Sequence, residues 1–229
     1  MRLNKFLAEC RVASRRKADL IIKLGQVKVN GKLIKEMGVQ VDPENDQVSV
    51  NGKICQYNTN KIYIALNKPT GYVCTHALFH GEQSIFKLLP NKFSNYKIAG
   101  RLDKQTEGLL ILSNDGDFIN QLTHPKFKHQ KEYEVKLVKD LNQYSLIKLQ
   151  KGVMLEEGMA KLDKIRKMKD KEYQVIIHQG WKRQIRRMFD KLHFKIISLR
   201  RIRVGEYKIG KLPAGQFKMI TKQEVLNRR

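Results

Sequence analysis

The sequence predicts an α+β protein, in which a small N-terminal domain precedes a larger domain built on a mixed, largely antiparallel sheet with flanking helices. Two segments with helical spacing of apolar residues come first, and short alternating segments that end in Asn-Gly pairs follow them. After a polar, aperiodic stretch, alternating and continuous apolar segments recur with turn residues between them. We therefore expect a domain over residues 1–54, a linker over residues 55–61 and a second domain over residues 62–229.

The N-terminal domain begins with apolar residues at helical spacing, namely Leu3, Phe6, Leu7 and Cys10. Ser14 stands where the N-cap of a second helix belongs, and Gly25 suits the position just after its end. The alternating segments 27–29 and 48–50 predict strands. Each is followed by an Asn-Gly pair, which is typical of a two-residue hairpin turn.

The second domain contains several alternating or apolar segments that predict strands. These are residues 63–66, 97–99, 109–112, 131–138, 172–178, 196–199, 202–204 and 218–221, with a strand-like or hairpin segment at 161–171. Helices are expected at 118–123, 140–150, from Lys182 onward and at 222–229. Asp115 is positioned to cap the first of these helices, and His124-Pro125 to end it.

The charge balance indicates a polyanionic partner. Lysine and arginine number 46 against 22 aspartate and glutamate residues, a formal net charge of +24. Nucleic acid is the commonest partner for such a charge, and an anionic membrane is the competing one. No apolar run approaches the length needed to span a bilayer, and the N-terminus lacks the apolar core of a signal peptide. We expect a cytoplasmic protein that does not engage a membrane.

The cysteines and histidines predict neither a disulfide framework nor a metal site. Cys10, Cys55 and Cys74 are widely separated and form no Cys-x-x-Cys pair. His76 and His80 are four residues apart in an expected mobile loop, but no third ligand stands near them and the segment has no helical pattern.

The polar loop between the segments 97–99 and 109–112 contains one carboxylate, Asp103, and is closed by Gly100 and Gly108. A loop held between two buried strands places a side chain rigidly while leaving it accessible, which suits a functional site. Spacing alone equally allows a solvated charge pair of Arg101 and Asp103 in a turn.

The order of residues in this loop is a more specific signal of function than the presence of a carboxylate and a guanidinium alone. Gly-Arg-Leu-Asp at residues 100–103, followed by Thr106 and Gly108-Leu109-Leu110, resembles the signature of the pseudouridine synthases that act on ribosomal RNA. Three further segments resemble that family in the same order: Asn-Lys-Pro-x-Gly at 67–71, Lys-x-Tyr-x-Val at 131–135, and Gly-x-x-Arg-Gln-Ile-Arg-Arg-Met at 180–188. The N-terminal domain, in which Ser-Arg-Arg-Lys opens the second helix, resembles an S4 RNA-binding module.

The resemblance implies roles for four residues. Asp103 would be the nucleophile, Tyr133 would lie against the target uracil, and Arg186 would pair with the aspartate. Arg101 would fill the space that a flipped uridine vacates. Burial alone disfavours a charged carboxylate, and a guanidinium, which stays charged and offers two donors, counteracts that effect.

The reaction implied gains and loses no atoms, so it requires no metal, nucleotide or redox cofactor. The sequence leaves open whether Asp103 attacks the sugar carbon, abstracts a ribose proton or adds to the base.

RNA binding is expected from further cations in both domains. They are Arg2, Lys5, Arg15, Arg16, Lys17 and Lys28 in the first domain, and Lys182, Arg183 and Arg187 beside Arg186. Cations in the first turn of a helix oppose its dipole, so the cluster that follows Ser14 favours phosphate contact over helix stability. A merely solvated basic face remains the alternative.

The expected partner is ribosomal RNA, free or in an assembly intermediate, and we expect a monomer. The Gln179-Gly180 pair and the short loop after Asn67 favour the large subunit over the small one. Many relatives have Glu in place of Gln179 and a smaller or basic residue in place of Trp181, which bears on the RNA that is bound. A non-catalytic S4-type ribosome-binding protein is the alternative. An RNA methyltransferase would need a Gly-rich cofactor loop, and no G-x-G-x-x-G is present.

Overall fold

The computed structural model describes residues 1–57 and 60–226. The chain forms two compact units, with the boundary between Lys61 and Ile62. Within the described residues, none of the helices has the length and apolar character that crossing a bilayer would require.

The first unit packs two short helices on a four-stranded antiparallel sheet. Its elements are α1 (Leu3–Glu9), α2 (Arg15–Lys23), β1 (Val27–Val29), β2 (Lys32–Ile34), β3 (Val48–Val50) and β4 (Lys53–Ile54). The strands pair in the order β2-β1-β3-β4. Its buried core consists of Leu3, Phe6, Leu7, Ala18, Ile22, Val27, Val41 and Val48.

Local signals explain the ends of these elements. The Ser14 hydroxyl accepts a hydrogen bond from the Lys17 amide at 3.3 Å and caps α2, as predicted. Gly25 follows the helix at φ +69°. Both hairpins turn through Asn-Gly pairs with positive φ, 50° and 79° at residues 30–31 and 48° and 79° at residues 51–52. This conformation matches the twist of the flanking strands, so the two predicted turns are confirmed.

The segment predicted as a linker is packed onto the first unit where the structure describes it. The Tyr57 ring stacks on Phe6 with centroids 5.5 Å apart, and its hydroxyl donates to Glu9 at 2.9 Å. Lys61 donates to the same carboxylate at 2.9 Å. Residues 58–59 of the predicted linker lie outside the described residues.

The second unit is built from thirteen strands and four helices within the described residues. The strands are β5 (Tyr63–Lys68), β6 (Tyr72–Val73), β7 (Gln83–Ser84), β8 (Lys97–Ala99), β9 (Glu107–Ser113), β10 (Lys131–Leu137), β11 (Val153–Leu155), β12 (Gly158–Ala160), β13 (Lys164–Lys169), β14 (Glu172–Ile177), β15 (Ile196–Val204), β16 (Tyr207–Lys208) and β17 (Phe217–Ile220). The helices are α3 (Gly116–Thr123), α4 (Gln143–Lys151), α5 (Gln184–Lys191) and α6 (Lys222–Leu226).

One large mixed sheet organises this unit. Its strands follow the order β13-β14-β10-β15-β9-β5-β17, with β16 paired to β15 and β8 to β9. Neighbouring strands are antiparallel except β9 and β15, which run parallel and place Glu107 beside Arg200 and Gly108 beside Arg201. The predicted α+β class with a largely antiparallel mixed sheet is confirmed.

Three predicted element bounds were wrong. The helix expected at 140–150 spans Gln143–Lys151, because the Asn142 side chain caps it by accepting a hydrogen bond from the Ser145 amide. The helix expected from Lys182 begins at Gln184, because Arg183 has a left-handed backbone with φ 51°. The segments 196–199 and 202–204 form one continuous strand, because the intervening Arg201 is fully buried within the sheet. The helix expected at 222–229 is described to Leu226, and residues 227–229 lie outside the described residues.

The parallel contact between β9 and β15 requires a glycine. Gly108 has φ +104°, and a Cβ there would clash with the carbonyl oxygen of Arg201 and lie 2.7 Å from its amide nitrogen. Both the backbone conformation and the close approach therefore exclude a side chain.

We predict that Gly108→Ala lowers the free energy of unfolding by about 3 kcal/mol, since it combines left-handed strain with overpacking against backbone. Urea unfolding followed by circular dichroism measures this loss. Gly210→Ala is the matched control, because Gly210 also has positive φ but no atom lies within 4 Å of the position that a Cβ would take, and it should lose only about 1 kcal/mol. Equal losses in the two variants would contradict the argument.

Candidate active site

A cavity of about 480 Å³ opens on the second unit where several strand ends meet. Its walls come from the loop after β8, the start of β10, the end of β14, the turn that leads into α5, and the middle of β15. It collects the charged residues Arg101, Asp103, Lys104, Lys131, Lys182, Arg183 and Arg201, together with Tyr133 and Trp181. Cations outnumber the single carboxylate, so the cavity favours anionic or electron-rich ligands.

Asp103 lies in the 100–106 loop between β8 and β9. Its Oδ1 accepts a hydrogen bond from the Gln105 amide at 3.0 Å, and its carbonyl oxygen accepts one from the Thr106 amide at 3.2 Å. These bonds close a tight turn that fixes the carboxylate. The side chain remains 24% exposed and lines the cavity.

Two buried cations donate hydrogen bonds to backbone carbonyl oxygens in this loop and beside it. Lys68 at the end of β5 donates to the carbonyl oxygen of Thr106 at 2.6 Å and to that of Pro69 at 3.0 Å. Burial lowers the pKa of Lys68 from its ordinary value, partly offset by nearby Cys74 and Asp103. Arg201 donates through Nη2 to the carbonyl oxygen of Gly100 at 2.9 Å and through Nε to that of Leu109 at 2.7 Å.

Arg186 reaches the loop from α5, and its side chain is only 8% exposed. Its Nη2 donates to the carbonyl oxygen of Gln105 at 3.0 Å and to the Thr106 hydroxyl at 3.3 Å. Its Nε lies 3.7 Å from Asp103 Oδ2, an ion-pair distance, and makes no hydrogen bond to the described residues. Burial lowers the pKa of Arg186, and Asp103 opposes that change. The pairing is therefore electrostatic and not a two-bond fork.

A second guanidinium flanks the same carboxylate. Arg183 Nη1 lies 3.8 Å from Asp103 Oδ2 and 3.4 Å from the Gln105 side-chain oxygen. The left-handed backbone of Arg183 turns this side chain toward the loop while α5 presents Arg186. Two guanidinium groups thus lie within ion-pair distance of one partly exposed carboxylate.

Tyr133 lies on the cavity wall. It is 7% exposed in β10, where it pairs in register with Val175 of β14 and Arg201 of β15. Among the described residues its hydroxyl has no hydrogen-bond partner, and the residue lines the same cavity as Asp103. The structure therefore brings the loop carboxylate, the phenol and the α5 guanidinium to one place.

The remaining predicted cations divide between the cavity and other surfaces. Arg101 and Lys182 are exposed on the cavity rim. Arg187 lies elsewhere, because both of its Nη atoms bind the Glu157 carboxylate, at 2.9 and 2.7 Å. Arg187 does not line the cavity, and its predicted contact with RNA stays a prediction.

The cations predicted in the first unit are mostly exposed on that unit. Arg2, Arg15, Arg16, Lys17 and Lys28 are exposed. The first turn of α2 contains no acidic residue. Lys5 is half-buried and lies 3.9 Å from Glu9.

Sequence reasoning missed the cavity and loop roles of Lys68, Lys131 and Arg201. A usable signal existed for two of them. Lys68 ends an apolar strand and Arg201 interrupts another, positions at which a charge is buried only with specific partners. Within the part of the chain that the structure describes, no cluster of three metal-ligating side chains occurs, and the His76 ring stacks on Phe86 at 3.9 Å.

Comparison with known proteins agrees with this geometry. Residues 62–191 match the RNA pseudouridylate synthase family, and residues 1–48 match the S4 domain. The ribosomal large subunit pseudouridine synthase B of Bacillus subtilis is 40% identical over 98% of this chain and 93% of its own. An uncharacterized RNA pseudouridine synthase of Aquifex aeolicus is 38% identical over 98% of this chain and 92% of its own.

The dual-specificity RNA pseudouridine synthase RluF of Escherichia coli is 33% identical over 99% of this chain and 78% of its own. A crystal structure of a pseudouridylate synthase superposes with a TM-score of 0.71 at 28% identity, covering 98% of both chains. The chain therefore belongs to the RNA pseudouridine synthase family and carries an S4 domain at its N-terminus.

Proposed function

We propose that this enzyme converts a uridine of large-subunit ribosomal RNA into pseudouridine, with Asp103 as nucleophile. The observation that carries the assignment is the position of the Asp103 carboxylate, 3.7 Å from Arg186 and 3.8 Å from Arg183, in a cavity that Tyr133 also lines. Tyr133 stacks against the uracil, and its unpartnered hydroxyl is available for proton transfer at C5. Arg186 pairs with the Asp103 carboxylate and positions its loop.

The choice of RNA is supported by the relatives. The Bacillus subtilis protein is named as a large-subunit enzyme and matches this chain almost end to end. The substrate is ribosomal RNA, either protein-free or in a ribosomal assembly intermediate. The enzyme acts as a monomer in the cytoplasm. The same activity on small-subunit RNA is the second candidate. Mapping pseudouridine in ribosomal RNA from a strain that lacks the protein separates the two.

The chemistry fits an ionised carboxylate beside a base. The bond between uracil N1 and the sugar breaks, the base rotates, and a bond from C5 to the sugar replaces it. A carboxylate suits this step because carboxylates carry out the related separation of sugar from leaving group in glycosidases. Because reactant and product are isomers, the residues of the cavity have only to bind, orient and move protons.

Access to the cavity requires that the uridine leave its stack, at a cost of a few kcal/mol. Arg101 is exposed on the rim, two residues before the nucleophile, and we place its side chain in the space that the uridine vacates. The rim cations Lys182 and Arg183 are suited to hold the phosphates on either side of the extruded nucleotide.

The first unit contributes RNA affinity. The first turn of α2 carries Arg15, Arg16 and Lys17, all exposed and without an acidic neighbour in that turn. The helix N-terminus and these side chains together attract phosphate.

We predict that Asp103→Asn abolishes isomerisation, at least 10⁴-fold by analogy with other lost nucleophiles, and leaves RNA affinity within about twofold. The amide keeps the size of the side chain but removes its charge. Tritium release from ribosomal RNA labelled at uracil C5 measures the activity. Asp170→Asn, at an exposed turn far along the chain, is the charge-matched control and should keep the parent rate. A normal rate in Asp103→Asn would refute the assignment.

We predict that Arg186→Lys lowers kcat by about 100-fold with little change in RNA affinity, since a lysine cannot contact the loop carbonyl, the Thr106 hydroxyl and Asp103 together. Steady-state kinetics with the same labelled RNA measures it. Arg187→Lys is the neighbouring control, because its partner is Glu157 outside the cavity. A larger loss in the control would argue against the role of Arg186.

We predict that replacing Arg15, Arg16 and Lys17 together by Gln weakens RNA binding and lowers the slope of log K against log salt by about 2 to 3, because each lost phosphate contact contributes about 0.7 to 0.9. Filter binding over a range of salt concentrations measures the slope. The control replaces Lys136, Lys167 and Lys169, which pair with acids in the second unit. Equal slopes in the parent and the α2 variant would exclude a phosphate-binding role for α2.

A further inference from the structure

Lys131 lines the cavity that also contains the proposed nucleophile, and it is the lysine of the Lys-x-Tyr-x-Val segment, to which neither the resemblance nor the proposed reaction assigned a role. It is the first residue of β10, and Tyr133 follows two positions later on the same face of the strand. Both residues line the cavity that contains Asp103. The strand that presents the phenol to the base therefore also presents an ammonium group.

The ammonium group has only weak partners. Its Nζ lies 3.4 Å from the carbonyl oxygen of His178 and 3.3 Å from that of Gln179, both long for hydrogen bonds to a cation. An ammonium has three donors, so one donor is left for the cavity. Across residues 1–57 and 60–226, no carboxylate lies within ion-pair distance of this group.

The charges around Lys131 increase the free-energy cost of burying its ammonium group. Arg201, fully buried in the adjacent strand β15, repels it, and burial together with that repulsion lowers the pKa of Lys131 to about 8. Asp163 provides a smaller opposing effect, but its carboxylate is held by His178 Nδ1 at 2.7 and 2.8 Å. A largely buried cation without a carboxylate partner destabilises the folded protein, so packing alone does not account for it.

The reaction creates a need for such a donor. When the base leaves the sugar, the electron pair of the bond stays on uracil and spreads to its carbonyl oxygens. Addition of a carboxylate to the base places charge on the same oxygens. The cavity already contains the negative charge of Asp103, and Arg183 and Arg186 are engaged with that carboxylate and its loop. A donor directed at the base is therefore required from another side.

We infer that Lys131 donates a hydrogen bond to a carbonyl oxygen of the target uracil and stabilises the negative charge that the base acquires during isomerisation. This inference rests on the proposed function. Fixed donors of this kind act in a water-poor site, where they favour the charged transition state over the neutral substrate.

The isomerisation balances in atoms and protons, and Lys131 neither gains nor loses a proton. The base takes the electron pair of the N1 bond and returns a pair from C5 to the sugar carbon. The C5 proton then leaves and N1 gains one, so the product is an isomer of the substrate. Lys131 remains an ammonium throughout and supplies charge and a hydrogen bond.

The groups that face Lys131 bear on its pH dependence. They are Tyr133 on its own strand, Arg201 on β15, the Asp163–His178 pair beside β14, and Asp103, Arg101, Lys104, Lys182, Arg183 and Cys74 around the cavity. Burial raises the pKa of the Cys74 thiol above its ordinary value of 9.0, which moves it away from the range in which Lys131 loses its proton. The ammonium is present below a pH of about 8 and is lost as the pH rises through that value.

The test compares full-length Lys131→Met and Lys131→Arg with the parent protein in single-turnover tritium release from C5-labelled ribosomal RNA. We expect Lys131→Met to slow the reaction about 100-fold at pH 7, while RNA affinity stays within about twofold. Its thermal midpoint should be equal or higher, because a largely buried charge has been removed. Lys151→Met, at the exposed end of α4, is the control and should retain the parent rate.

The pH profile separates a donor to the base from a simple clamp on the turn at residues 178–179. The parent rate should fall about tenfold per pH unit above a pH of about 8, and Lys131→Arg should remove this alkaline limb because guanidinium stays charged. A rate within about threefold of the parent in Lys131→Met would overturn the inference. So would a parent profile that is flat from about pH 7 to 9.5, or a slow Lys131→Met whose thermal midpoint has dropped.

The failure of the proposed function is distinguishable from the failure of this inference. If the parent protein releases no tritium, or Asp103→Asn releases it at the parent rate, the proposed function fails. If the parent and Asp103→Asn behave as proposed while Lys131→Met is unimpaired, only the role of Lys131 fails.

Discussion

The 100–106 loop depends on three buried cations that donate to its backbone carbonyl groups. Arg201 binds Gly100, Arg186 binds Gln105, and Lys68 binds Thr106. The carbonyl oxygens of this loop take no part in strand pairing, and the cations supply strong donors to them. These contacts hold the loop at both of its ends. The Asp103 side chain is therefore held in one orientation without becoming fully buried. The same donors raise the positive potential of the cavity that the carboxylate faces.

The same cations stabilise the loop and place positive charge beside the Asp103 carboxylate. Buried cations are costly on their own, but each loop carbonyl that they bind offsets part of that cost. Arg186 serves both purposes, since one nitrogen holds the loop while another lies 3.7 Å from the carboxylate. Lys131 is the exception, because its carbonyl partners lie at 3.4 and 3.3 Å and belong to His178 and Gln179, outside the 100–106 loop. The cavity is therefore organised around cations whose contacts are with backbone, with a single carboxylate among them.

Much of the architecture followed from short-range patterns. The Asn-Gly hairpins, the Ser14 cap and the alternating strand at Tyr133 were all predicted correctly, because turn geometry, capping and side-chain alternation are decided by a few neighbouring residues. Element bounds were less well predicted. Arg183 has a left-handed backbone that delays the start of α5, and the sequence pattern gave no sign of it. The Glu157 partner of Arg187, 30 residues away, was also not readable from the pattern.

The sequence by itself determined the two-unit order of elements, the predominance of antiparallel strands, and the chemical types that the family signatures bring: a carboxylate, a phenol and a guanidinium. Only the tertiary structure decided which cations are buried and what they bind. Arg201 contacts residues 92 and 101 positions earlier in the chain, and Arg186 contacts residues about 80 positions earlier. Charge on a side chain is a local property, but its burial, its partners and its pKa depend on which strands become neighbours, and that is settled by long-range pairing in the sheet.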